Sequence, residues 1–97
     1  MKIIAGSSSK NLANRISEKT GIEIADITLK RFPDGECYVK INEEFEHAII
    51  VQNTYPDENI IELFLIQDAV SRFAKRIDVI IPYYGYGRQD KIFEKGE

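Results

Sequence analysis

Apolar positions fall along this chain in short runs, and their spacing differs from one run to the next. Residues 2–5 (Lys-Ile-Ile-Ala) form a brief run stopped by Gly6-Ser7-Ser8-Ser9. Leu12, Ile16 and the stop at Gly21 then predict a modest helix over 9–20. Ile22, Ile24, Ile27 and Leu29 alternate imperfectly, as in a strand. The polar turn Pro33-Asp34-Gly35 separates that strand from residues 37–41, where Cys37, Val39 and Ile41 share a face, so the two runs predict a β-hairpin excursion. Ala48-Ile49-Ile50-Val51 is apolar without interruption and rich in β-branched residues, the mark of a strand covered on both faces and central in its sheet. Pro56-Asp57-Glu58 suits a helix start, and the helix predicted over 59–75 has Arg72, Lys75 and Arg76 near its negative end. Its apolar residues, among them Ile61, Leu63, Phe64, Leu65, Ile66 and Val70, spread beyond one stripe. That helix is therefore either deeply buried or partly covered by another subunit. Residues 78–81 form a second buried-type strand closed by Pro82. The order β-α-β-β-β-α-β predicts an α/β fold, a mainly parallel sheet flanked by helices.

Composition narrows the class. Lys and Arg number 13 against 16 Asp and Glu, a net charge of −3 that excludes a strongly basic nucleic-acid binder. With 43% hydrophobic and 30% charged residues, the chain reads as a soluble folded domain, and 97 residues leave room for one core. The amino-terminal run is too short for a secretory leader, and no stretch approaches a membrane span, so a cytoplasmic location is expected. Cys37 is the only cysteine and His47 the only histidine, which leaves no internal disulfide and no zinc-type cluster. Cys37 reads as a small apolar filler and His47 as a strand-edge residue.

Three segments carry candidate chemistry. Gly6-Ser7-Ser8-Ser9 could cradle a phosphate at a helix start, but it lacks Walker-type spacing, and capping by a serine is the weightier reading. Arg31-Phe32-Pro33-Asp34-Gly35-Glu36 sets an aromatic face and two carboxylates around a glycine; it could hold a base, or serve simply as a hairpin turn with Phe32 capping the core. Pro82-Tyr83-Tyr84-Gly85-Tyr86-Gly87-Arg88-Gln89-Asp90-Lys91 follows the last strand, where open α/β sheets bind ligands. There Arg88 and Lys91 could pair with phosphate oxygens and Gln89 could read a base edge, the alternative being a solvated charge run beside tyrosines packed on the sheet rim. No catalytic set can be assembled from the residues themselves.

These motifs, together with Asn59-Ile60-Ile61-Glu62-Leu63-Phe64-Leu65-Ile66-Gln67-Asp68-Ala69, resemble the amino-terminal domain of ribose-phosphate pyrophosphokinase, and the resemblance runs over essentially all 97 residues. It implies a phosphoribosyltransferase-like fold, here incomplete, and an enzyme that transfers pyrophosphate from Mg-ATP to ribose 5-phosphate, giving phosphoribosyl pyrophosphate and AMP for nucleotide biosynthesis. It implies a homo-oligomer with its ATP site at a subunit interface and no nucleic-acid or membrane partner. Phe32, Asp34, Gly35 and Glu36 would meet adenine from one subunit, and Arg88 and Gln89 would approach ATP from the neighbour.

Two departures bear on the expectation. Many members of the family continue with Lys-Asp where this chain has Ile92 and Phe93. The family's metal-binding histidine, its cationic catalytic loop and its acidic ribose-phosphate loop lie further along the chain. The 97 residues are thus expected to be a truncated domain, inactive alone, that holds no catalytic residue and no magnesium ligand of its own. The alternative is a non-catalytic regulatory or scaffold subunit, against which the retained base and phosphate motifs argue.

Overall fold

The computed structural model describes all 97 residues. Its elements run β1 (Lys2–Ala5), α1 (Lys10–Thr20), β2 (Ile27–Arg31), β3 (Cys37–Ile41), β4 (His47–Val51), α2 (Asp57–Ser71) and β5 (Arg76–Ile80), followed by a single 3-10 turn, Gly87–Gln89. The expected α/β class and element order are observed: a three-stranded parallel sheet in the order β1-β4-β5, and a separate antiparallel hairpin of β2 and β3. β4 is central, as its unbroken apolar run requires.

Period-two alternation divides the core between the two faces of the sheet. Ile4, Ala48 and Ile50 face α2 and pack with Leu63, Ile66 and Val70. Ile3, Ala5 and Val51 point the other way and pack with Ala13, Leu12 and Ile16 of α1. The hairpin closes the α2 side, where Leu29, Val39 and Ile41 lie against the first cluster. Phe45 meets Phe73 edge to face there, with ring centroids 5.2 Å apart.

Several boundaries differ from the sequence reading. The stretch over 22–29 is not one strand. Ile24 makes only a single parallel bridge to Ile3, and β2 proper begins at Ile27, because the chain leaves the edge of β1 before it turns into the hairpin. α2 starts two residues earlier than expected and stops at Ser71. Beyond it the Ala74 N–H closes on the Val70 carbonyl, and the N–H groups of Lys75 and Arg76 both donate to the Glu46 carbonyl, which starts β5 early. Asp57 and Glu58 do occupy the positive end of α2, but no basic residue stands in its last turn, and Arg72 pairs with Asp68 instead. The broad apolar surface of α2 is not deeply buried: Ile61 and Phe64 are 55% and 59% exposed.

The turn between β1 and α1 is held in a way that neither sequence reading anticipates. Ser9, at the helix start, makes no side-chain cap. Instead the Ser7 N–H and hydroxyl donate to the two oxygens of the Glu62 carboxylate at 2.8 and 2.7 Å, and the Gln52 amide donates to the same carboxylate at 2.6 Å. The Ser8 hydroxyl in turn donates to Gln52 Oε1 at 2.6 Å. Glu62 and Gln52 are buried, and each finds its hydrogen-bond partners within the chain. Gly6 is required by space: a Cβ there would lie 2.1 Å from Gln52 Oε1.

Glu62→Ala would leave the Ser7 N–H and the Gln52 amide without their acceptor, and should cost about 3 kcal/mol in urea denaturation. Glu62→Gln keeps an acceptor for both donors, and should cost less than half as much.

A second tie is exposed. Glu43 accepts the Asp26 N–H at 2.8 Å and pairs with Lys2 at 2.6 Å, and these contacts, the backbone hydrogen bond foremost, hold its carboxyl below the usual glutamate value. The stabilisation it brings is complete above that usual value and is lost as pH falls through the lowered folded value. Glu43→Gln should therefore flatten the acid side of a plot of urea midpoint against pH.

Candidate functional site

The hairpin carries the first group of expected site residues. Arg31 and Cys37 form its last pair, and the intervening residues make a tight turn. The Phe32 N–H donates to the Glu36 carbonyl at 2.9 Å, the Gly35 N–H donates to the Phe32 carbonyl at 2.8 Å, and the Glu36 N–H donates to Asp34 Oδ1 at 3.0 Å. Gly35 sits at φ +97°, a conformation that favours glycine. The turn reading is correct for the backbone, but Phe32 does not cap the core. It is 41% exposed and meets Tyr38 edge to face at 5.8 Å, while the Lys30 ammonium lies 4.8 Å from the Tyr38 ring centroid. The turn thus presents an aromatic ring and two solvent-facing carboxylates, with a cation beside them.

The second group stands beyond the carboxyl end of β5. Asn53 and Thr54, which directly follow β4 and Gln52, hold this loop. Asn53 Oδ1 accepts the Tyr83 N–H at 2.8 Å, the Thr54 hydroxyl accepts the Gly85 N–H at 2.6 Å, and the Thr54 N–H donates to the Tyr83 carbonyl at 3.2 Å. Gly85 allows this approach, since a Cβ on it would come within 2.9 Å of the Thr54 carbonyl oxygen. The loop then turns at Tyr86, whose carbonyl accepts the Gln89 N–H at 3.1 Å. Tyr55, Asp57, Tyr84, Tyr86, Arg88 and Gln89 border an open cavity of about 590 Å³. Tyr83, Tyr84 and Tyr86 are each at least half exposed, so they are not packed on the sheet rim.

Arg88 makes no ion pair and no hydrogen bond within the chain. A guanidinium held at the mouth of a cavity with no partner can receive a phosphate by a two-point contact. Sequence reasoning located Arg88 and Gln89, but it missed the residues that hold them: Asn53, Thr54 and Asp57. For Asn53 and Thr54, the position just beyond the carboxyl end of the central strand was the available signal.

The two groups are not brought together within one chain. No hydrogen bond, ion pair or shared cavity joins Phe32, Asp34 or Glu36 to Arg88 or Gln89. His47 stands apart from both at the start of β4, where its Nε2 contacts Asp78 at 2.6 Å. Cys37 is half buried, and burial, followed by the charge of Glu62, pushes its thiol up. No cluster of three His, Cys, Asp or Glu side chains is placed to hold a metal ion.

The parallel sheet with helices on its two faces, an added hairpin and loops gathered at strand ends is the architecture of the phosphoribosyltransferase-like class. A purine phosphoribosyltransferase from Pyrococcus horikoshii, only 17% identical, matches in fold with a TM-score of 0.53 over 86% of this chain and 67% of its own. The crystal structure of phosphoribosylpyrophosphate synthetase from Mycobacterium smegmatis matches more fully, with a TM-score of 0.87 and 27% identity over 99% of this chain and 34% of its own. The family model for the N-terminal domain of ribose phosphate pyrophosphokinase covers residues 1–97, and the chain belongs to that family. Ribose-phosphate pyrophosphokinases of Fusobacterium nucleatum and Pyrococcus abyssi are 44% and 40% identical to it over 94% and 97% of its length. The chain spans about a third of the length of these curated relatives, 30% and 33% respectively.

Thr54→Val removes the buried acceptor of the Gly85 N–H and should cost about 1–3 kcal/mol, with faster hydrogen exchange at that amide. Thr54→Ser keeps the hydroxyl and should leave the exchange slow.

Proposed function

We propose that the chain supplies the nucleotide-binding part of a ribose-phosphate pyrophosphokinase, which moves pyrophosphate from Mg-ATP to ribose 5-phosphate and yields phosphoribosyl pyrophosphate and AMP. The observation that carries this reading is the unpartnered Arg88 guanidinium beside Gln89 at a cavity beyond the carboxyl end of the parallel strands. Phe32 offers adenine a stacking face, and Asp34 and Glu36 offer acceptors for its exocyclic amine or for ribose hydroxyls. Arg88 takes the phosphates by charge-assisted hydrogen bonds, and Gln89 both donates and accepts beside it.

Because one chain keeps the two groups apart, the complete site forms between two copies, each giving one half. The exposed apolar surface of α2, with Ile61, Phe64 and Leu65, is suited to a buried contact between copies. Magnesium arrives with ATP in this reading. Its protein ligands are expected outside these residues, whose contribution is to bind and orient the nucleotide.

The test is steady-state kinetics of the polypeptide made from the intact gene, with ATP and GTP. Arg88→Ala should lower kcat/KM for both nucleotides by about 10–100-fold, the worth of a hydrogen bond between charged groups. Phe32→Ala should raise KM for ATP by about tenfold and narrow the preference for ATP over GTP. Mixing the two variants should recover activity that neither has alone, since one interface in each mixed pair then carries both intact halves. Unchanged ATP kinetics in both variants would refute the assignment.

A further inference from the structure

The loop Gly85-Tyr86-Gly87 contains two glycines, yet the left-handed backbone conformation falls on the tyrosine between them, at φ +73°. Tyr86 is the only non-glycine residue of the chain with positive φ. For a bulky side chain such a conformation is costly, and it persists where the surroundings use it. Core packing is not that use, because Tyr86 is half exposed. Its ring instead crosses to the start of α2, where the hydroxyl donates a hydrogen bond to Asp57 Oδ1.

Asp57 borders the same cavity as Arg88. An aspartate that borders the same cavity as an unpartnered guanidinium is a competitor for it, and a phosphate would have to displace it from any pair the two formed. In the structure Arg88 makes no such pair, and the Asp57 carboxylate is engaged by Tyr86 and stands in the first turn of α2, where the helix dipole favours its charge. The contact with Asp57, foremost as a hydrogen bond, also pushes the phenol above its ordinary value, so it remains a donor across the neutral range.

We propose that Tyr86 is a positioning residue that holds Asp57 away from Arg88, so that the guanidinium stays free for the phosphates of ATP. This inference rests on the nucleotide reading given above. It also accounts for the backbone cost at position 86: the left-handed turn aims the ring at Asp57, while the Tyr86 carbonyl starts the 3-10 turn that carries Arg88 and Gln89.

The experiment measures Mg-ATP affinity by calorimetry on the polypeptide made from the intact gene. Tyr86→Phe frees Asp57 to pair with Arg88 and should weaken binding about fivefold, the upper range for one exposed ion pair. Adding Asp57→Asn to Tyr86→Phe removes the competing charge and should restore affinity to within about twofold of the parent. A role limited to folding the loop would leave the double variant as weak as the single one or weaker. The proposal is overturned if Tyr86→Phe binds like the parent, or if the double variant does not recover. Arg88→Ala serves as the control: parental ATP affinity in that variant would overturn the nucleotide reading itself.

Discussion

The interaction on which the rest depends is a buried carboxylate without a cation. Glu62 of α2 receives the backbone N–H and hydroxyl of Ser7 and the amide of Gln52. Burying a polar group is expensive unless its atoms are satisfied, and here three short hydrogen bonds from two chain segments, two from Ser7 and one from Gln52, satisfy the Glu62 oxygens. One side chain therefore fixes the turn leaving β1, the end of the central strand and the first turns of α2 relative to one another. The absence of a side chain at Gly6 lets Gln52 come close enough to join them.

The consequence reaches the ligand side. Gln52 is followed by Asn53 and Thr54, and these hold Tyr83 and Gly85. A nearly continuous path of hydrogen bonds thus runs from the buried Glu62 through the end of β4 to the loop that carries Arg88. The polar cluster at the β1–α1 turn and the loop after β5 read in sequence as two separate ligand candidates. In the structure Ser7 and Ser8 of the first bond to the chain's own Glu62 and Gln52, and that network supports the second.

The hairpin shows the opposite arrangement. Its strands pack on α2 through Leu29, Val39 and Ile41, but its turn extends into solvent and shares no cavity with Arg88. The molecule is elongated, with extents of 47 × 34 × 26 Å, and the two groups of candidate residues remain separate features of its surface. This separation, together with the apolar face left open on α2, links nucleotide binding to association of two copies in the proposed function.

By itself the sequence determined the element order, the centrality of β4, the hairpin and where the two segments with candidate site residues fall between the elements. Each is written in local terms: an unbroken β-branched run needs cover on both faces, Asp34-Gly35 needs a turn, and Gly21 ends a helix in the left-handed conformation it adopts at φ +75°. It did not place the end of α2 or the start of β5, because the Glu46 carbonyl that captures the N–H groups of Lys75 and Arg76 comes from a distant part of the chain. Nor did it show that Ser7 and Ser8 turn inward to Glu62 and Gln52, or that Tyr86 reaches Asp57. Those pairings lie 55, 44 and 29 residues apart, and no periodicity records which hydroxyl meets which carboxylate. Tertiary structure decided them, because polar groups withdrawn from water must find partners wherever the packed elements bring donors and acceptors together.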